Sequence, residues 1–554
     1  MRTSVLHRLW PMAALLTTLL VAFACGPAAA PTPTKAPAVQ ATPTPTKAAA
    51  PAPTTAAAPK RGGQVVMAMS AEPNGFHPNN NFSYGGDLPT HGTMYNSLMR
   101  FDENGVPQPD LAASWEVLDG GTRLVLHLAP NIKFSDGSPL TSEDVVWSIN
   151  MIMGKVEGHA RSGRTGVLDQ YIVSMQANDP QTVTINLNRA APAVIAAWLP
   201  QDYAGISKKG TTADQFKKEG YGAGAFKLQS RVTGSHVIVE KNPYYFKAGL
   251  PYLDSIKLQV ITDATAIWTA VATNKVDFYK ATSQVPPPDL YDTLGKTKGL
   301  RFIHRPLHNT SRIEFNMTKN YVGPFNDPRV REAVDLVVDR QGYDEVTNYG
   351  RGKPMLIWPA DWPVWGRSMA EVLAFPGRDP AKKPQDIAKA KQLMADAGYP
   401  NGFDTPFDAT STSAGLEWML LELAKIGIRG KVKITATAEW DNYLIAHKQT
   451  ITAGSGGWGT SSDPDEMLMA YLMTDGARNV TGYGNPEVDK LIQQQSAELD
   501  VAKRVQLVRQ VEDIVFLQDR PWAQLVSGFR YYGIWEYVKG REPGFNLYND
   551  NRMD

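Results

Sequence analysis

A single cysteine, Cys25, occurs in the 554 residues, so the fold cannot rest on an internal disulfide. Charge of one sign is equally scarce: 56 Lys and Arg stand against 55 Asp and Glu. That balance lacks the basic surplus by which a surface holds nucleic acid or an anionic membrane, and no nucleic-acid partner is expected. Beyond Cys25 no run of about 18 apolar residues exists, so that part of the chain contains no expected membrane-spanning helix. Neither HExxH nor GxSxG occurs, and no cysteine other than Cys25 could serve as a thiol nucleophile, which argues against an exported hydrolase. His77, His91, His127, His236, His304 and His308 show no chelating cluster, so neither a metal nor any other cofactor is expected.

What is present begins with a leader. Arg2 and Arg8 form a basic start, Met12 to Ala24 an apolar run, and small Ala24 precedes Cys25, which is the order of a secretory signal over residues 1–24. The apolar run, with Thr17 and Thr18 inside it, is short for a spanning helix. Cys25 followed by Gly26 resembles a lipobox, whose cysteine is lipidated after cleavage, although Ala22-Phe23-Ala24 departs from the usual residues at those places. An ordinary signal peptide with a chance cysteine is the alternative. Either reading predicts export, and the first adds a lipid anchor, the sole membrane attachment, on the outer face of the cell membrane.

Residues 26 to 60 are almost wholly Ala, Pro, Thr and Lys, with no acidic residue. Such a composition cannot bury a core and favours extended polyproline-like chain, so 25–60 is expected to be a tether. At about 3.1 Å per residue it reaches on the order of 100 Å, enough for a tethered globule to search the space above a membrane-embedded partner. An O-glycosylated stalk is compatible with this reading.

With 43% hydrophobic and 9% aromatic residues, the remainder can fill more than one core. Residues 64–69 predict a buried first strand that ends in the polar loop Ser70 to Pro78. Further strands are expected at 123–128, 182–187, 236–240 and 255–261. Helices alternate with them. Asp327-Pro328 supplies a cap and a first-turn proline, after which Val330, Ala333, Val334, Val337 and Val338 share one face. Helices are also expected over 384–397, from Asn485-Pro486, and from Asp500. This mixture predicts an α/β protein of two or three lobes.

A series of short motifs then runs in order along the chain. It begins with Gly62-Gly63, Ser70-Ala71-Glu72-Pro73 and Tyr95-Asn96-Ser97-Leu98, followed by Pro109-Asp110-Leu111-Ala112 and Ser114-Trp115-Glu116. The densest stretch is residues 133–145, from Lys133-Phe134-Ser135-Asp136-Gly137 to Glu143-Asp144-Val145. Gly222-Ala223-Gly224-Ala225-Phe226, Lys241-Asn242-Pro243-Tyr244-Tyr245, residues 325–333 and residues 482–489 complete it. Most have a plain structural meaning: Asp136 to Pro139 is turn chemistry, and Thr141 to Asp144 opens a capped helix. Taken together over residues 62 to 550, they resemble bacterial solute-binding family 5, the peptide-, oligopeptide- and nickel-binding subunits of ABC importers.

The resemblance implies a periplasmic-binding-protein type II clamshell in its large three-subdomain form, with mixed sheets and discontinuous lobes. Lobe I would comprise 61–102, 212–305 and 525–554, an inserted subdomain 103–211, and lobe II 306–524. It implies a monomeric receptor, not an enzyme, that closes around a peptide or similar small solute and delivers it to permease and ATPase subunits. An oligosaccharide or other neutral solute is the alternative ligand, and a sensory receptor the alternative role. Expected ligand-facing residues are Ser70 and Glu72 in the first loop, Tyr95, Trp358 and Trp362 beside Trp365, Trp440 after Glu439, and Trp458 after Gly457. Core packing is the alternative for each Trp. Peptide-binding relatives place an amine-pairing aspartate three residues after the matching tryptophan; here that place is Ser461, and Asp463 and Asp465 lie close by as substitutes after a small loop shift.

Overall fold

Residues 64–69 form a strand because a run of Val, Met and Ala without a helix cap before it is buried along nearly its whole length. The computed structural model describes residues 60–78, 85–102, 106–162, 165–281, 285–456 and 463–539. The expected leader, Cys25, the tether, Trp458 and Ser461 lie outside them. In chain order the strands used below are β1 (Gln64–Met69), β2 (Ala112–Leu118), β3 (Arg123–Leu128), β4 (Ile172–Asp179), β5 (Thr182–Leu187), β6 (Phe226–Val232) and β7 (His236–Lys241). They continue as β8 (Ser255–Val260), β9 (Phe278–Lys280), β10 (Leu300–Phe315), β11 (Phe403–Ala409), β12 (Ile428–Ile434), β13 (Ile451–Gly456) and β14 (Trp522–Trp535).

Among the described residues one sheet has the order β12-β11-β13-β10-β14-β9-β1-β8-β7-β6, with Lys353–Pro354 beside β14. A separate four-stranded sheet has the order β2-β3-β5-β4. In the large sheet, β10 and β14 are the two longest strands and form its axis. Leu300 to Pro306 pair with Trp535 to Phe529, and β14 passes on to β9; Thr310 to Phe315 pair with β13 on their other side. Between these halves the register shifts twice, between Pro306 and Thr310 and between Thr310 and Arg312. Bulges of this kind bend a strand and raise its twist, so one sheet serves two differently directed halves. Neither long strand was legible in the sequence. β14 is buried on both faces along nearly its whole length, which erases a period-2 pattern.

The helices follow their caps. Asp327 accepts from the Arg329 amide ahead of α3 (Pro328–Val337), whose Val330, Ala333, Val334 and Val337 are buried. α2 (Ser142–Ile152) opens with a Thr141 and Asp144 capping box. α4 spans Arg340–Asn348, α5 Lys383–Asp396, α6 Ala414–Ala424 and α7 Thr437–Ile445, while α8 (Pro486–Ala497) and α9 (Val501–Ile514) are capped by Asn485 and Asp500. Val338 caps α3 instead of continuing it. The side chains gather into separate cores. One joins the four-stranded sheet to α2, one joins α3, α5 and α6 to β11, and one joins Trp358 to α8 and α9. The two faces of the β1 half supply the others, with Met67, Phe278 and Tyr532 on one side and Trp268, Tyr279 and Tyr531 on the other.

Candidate functional site

β1, β8 and β9 run parallel, as do β11 and β12, so each half of the large sheet has a set of carboxyl ends near the crossing strands. In open α/β sheets the crevice beyond such ends is where ligands bind. The loop Ser70 to Pro78 leaves β1 there, Lys280 ends β9, and α7 follows β12.

The first loop is shaped mainly by its own contacts. Ser70 is buried and hydrogen-bonds the Tyr279 phenol, whose pKa burial pushes up. Glu72 Oε1 accepts from Arg231 at 2.7 and 2.9 Å, and its Oε2 from the Gly234 amide at 2.9 Å. Tyr95 is buried; its hydroxyl donates to the Phe76 carbonyl at 2.7 Å and accepts from the Tyr221 amide at 3.2 Å. Within the protein, Glu72 and Tyr95 both hold the loop in shape. His77 lies 3.1 Å from His159 Nδ1 and packs on Phe216 at 4.6 Å between ring centroids. His159 was missed in the sequence because 82 residues separate it from His77.

Trp358 and Trp362 are 1% and 9% exposed and lie with Trp365 in the core of α8 and α9. The Pro-rich loop turns these indoles inward, where burial of large apolar surface is most favourable, as the core-packing alternative expects. Asp463 is likewise engaged within the protein. It is 2% exposed, and Arg504 holds both of its oxygens at 2.6 and 2.8 Å, so it is not available to pair a ligand amine.

Trp440 keeps a partly exposed face at the start of α7 and stacks on Tyr443, with centroids 5.9 Å apart and planes at 13°. The Tyr443 hydroxyl donates to Asp408 at 2.7 Å and accepts from Lys433 Nζ at 2.8 Å. Asp408 is in turn held by the Thr450 amide at 2.9 Å. Tyr443 therefore ties the indole to the carboxyl end of β11. Tyr443→Phe should keep the stack and cost about 1 kcal/mol of stability. Tyr443→Ala should cost about 1–3 kcal/mol and change the near-ultraviolet circular dichroism of Trp440. Urea unfolding with the two spectra checks both, and equal spectra for Ala and wild type would show that the stack does not hold the indole.

The crossing strands contribute a feature that no local pattern announced. Arg305 of β10 stands directly opposite Arg530 of β14, and Lys280 of β9 stands opposite Tyr532, two residues further along the same face. Lys280 and Arg530 are each 5% exposed. All three already have partners within the protein, so the arrangement persists by itself. Like charges directly opposite on neighbouring strands are destabilising unless other groups offset them.

Comparison with known proteins places the chain. Residues 106–479 match the family described as bacterial extracellular solute-binding proteins, family 5 Middle. The chain belongs to that family. Family 5 proteins bind solutes, and the shared fold is the type II clamshell. Among relatives, heme-binding protein A of Haemophilus influenzae is 26% identical over 81% of this chain and 84% of its own length. The probable deoxycholate-binding periplasmic protein YgiS of Escherichia coli is 27% identical over 82% and 86%. Among solved structures, the ABC transporter-associated periplasmic binding protein DppA from Helicobacter pylori, in complex with peptide STSA, superposes with a TM-score of 0.70. It is 22% identical and covers 89% of this chain and 98% of its own.

Proposed function

We propose that this protein captures a peptide or similarly sized carboxylate-bearing solute outside the cytoplasm and delivers it, unaltered, to an ABC permease with its ATPase subunits. The observation that carries the reading is the opposed pair Arg305 and Arg530, with Lys280 beside them, at the carboxyl ends next to the register shifts. Heme, deoxycholate and a peptide, the ligands named for the relatives and neighbour above, all carry carboxylates. An oligosaccharide would draw on exposed aromatic faces, and Trp358, Trp362 and Trp365 are buried.

Solute held between two halves favours the closed form, because only that form contacts it from both sides. The shifts in β10, which begin just after Pro306, support a boundary there between lobe I (61–102, 212–305 and 525–554) and lobe II (306–524), with 103–211 inserted. Cys25-Gly26 supports a lipid anchor, and the Ala/Pro/Thr-rich residues 26–60 a tether.

Thermal unfolding of the purified chain with di- to pentapeptides and with cello-oligosaccharides tests the reading. A peptide at 100 times its Kd should add about 2.7 kcal/mol. Amidating its carboxyl end should weaken binding at least tenfold, about 1.4 kcal/mol. Stabilisation by oligosaccharide alone, or consumption of the peptide during incubation, would overturn it.

A further inference from the structure

The four-stranded unit and the α8–α9 unit have separate apolar cores, the first including Leu168, Tyr171 and Ala191 and the second Leu468, Val488 and Val508. The two units also meet through polar side chains. The Tyr171 hydroxyl donates to Asp465 Oδ2 at 3.2 Å, and Arg189 donates to Ser496 Oγ at 2.7 Å. Arg189 also lies over the Tyr171 ring, 4.9 Å from its centroid. Ser496 Oγ passes the contact on to Asp465 Oδ2 at 2.6 Å, and Gln495 donates to Asp465 Oδ1. Tyr171 and Asp465 are each 1% exposed.

Charge explains why these groups meet. On the α8–α9 side, Asp463 and Asp465 both lie against Arg504, which is bidentate to Asp463 and 3.8 Å from Asp465. Arg189 brings a further positive charge from the other unit, reaching this acidic site through Ser496 and the Tyr171 ring. Burial, and then Asp463, push the Asp465 pKa up, as expected for a second carboxylate in a dry site. Hydrogen bonds and cation contacts can be exchanged for water at little net cost, whereas an apolar seam cannot. The junction is therefore of a kind that opens and closes. It also adjoins the expected ligand loop, since Asp463 lies five residues after Trp458.

We propose that Tyr171 and Arg189 are affinity-determining residues outside the ligand site, forming a latch that holds the four-stranded unit on α8 in the closed clamshell. The inference rests on the solute-binding reading for its purpose, but the latch itself can be tested without solute. Because apparent affinity scales with the population of the competent form, a weakened latch lowers affinity without touching the solute.

The experiment uses the full chain with Cys25→Ser and spin labels at Ser114→Cys and Lys503→Cys, both exposed positions. Distances are measured by pulsed electron resonance without ligand, in this background and with Arg189→Met, Tyr171→Phe or Asp465→Asn added. Each latch variant should shift the distribution to longer distances, and the Tyr171→Phe and Asp465→Asn effects should be less than additive. Where a stabilising peptide has been found, its Kd should rise 5- to 30-fold, mainly through faster release. Unchanged distances in Arg189→Met and Tyr171→Phe would overturn the latch. Failure of every peptide to bind the wild type, with the distance shift present, would overturn the ligand reading alone. Asp465→Asn guards against misfolding as an explanation, because it keeps the shape of the network.

Discussion

Asp335→Ala is expected to destabilise the protein by about 3–5 kcal/mol, the cost of removing one partner from a buried charge network. Asp335 sits on α3, 2% exposed, with Oδ1 accepting from Arg340 and from Arg378 at 2.9 Å, while Arg520 Nε lies 3.9 Å from Oδ2. Arg340 also donates to the Gly377 carbonyl at 2.7 Å and the Gln524 carbonyl at 2.6 Å, so this one carboxylate organises α3, α4, the 377 turn and β14. The cations are crowded. Burial, and then Arg378, lower the Arg340 pKa to about 9; burial, and then Arg340, lower that of nearby Lys383 to about 8. Burial acts to raise the Asp335 pKa, but Arg378 and Arg340 outweigh it and hold the carboxyl below its ordinary value. Alanine would leave three guanidinium groups without their shared anion. Urea unfolding should show a lower midpoint at unchanged slope, and a loss under 1 kcal/mol would mean that carbonyl acceptors alone satisfy the arginines.

Acidification from pH 7.5 to 5 is expected to remove on the order of 2 kcal/mol for each of two histidines, His77 and His91. Burial, and then His159, lower the His77 pKa to about 4; burial, and then His77, lower that of His91 to about 3. His91 is 1% exposed, and neither ring nitrogen has a hydrogen-bond partner among the described residues. In the unfolded chain both titrate near 6.5, so between that value and their folded values the unfolded state binds more protons. Stability therefore rises with pH through this window and is fully present above it. His159 shifts in the same direction, again through burial. Because His77 and α1 (Asp87–Met94), which carries His91, pack around the loop after β1, acid should loosen that loop early. Unfolding free energies at pH 7.5, 6 and 5 check this, with His91→Gln expected to flatten the slope. A flat profile in the wild type would show that the imidazoles gain partners as they charge.

Much of the secondary structure was legible because its causes are local. Asp327-Pro328, Asn485-Pro486 and Asp500 satisfy amides a few residues away, and 64–69, 123–128 and 182–187 are strands with the expected ends. The candidate site was legible less well. A tryptophan in a Pro-rich loop reads the same whether it faces solute or core, and the burial of Trp358 is decided by α8 and α9, more than 120 residues later. Asp463 read as a substitute for the amine-pairing aspartate because its partner, Arg504, lies 41 residues away.

The sequence by itself determined the α/β class, the caps and ends of many elements, and the ordered motifs of family 5, since these rest on propensity, period and turn chemistry within short windows. Only the tertiary structure decided which cations face one another across β10 and β14, which carboxylates are already committed, and where two separate cores meet through Tyr171 and Asp465. Those are pairings between distant residues, fixed by sheet register and burial, and no local pattern encodes them.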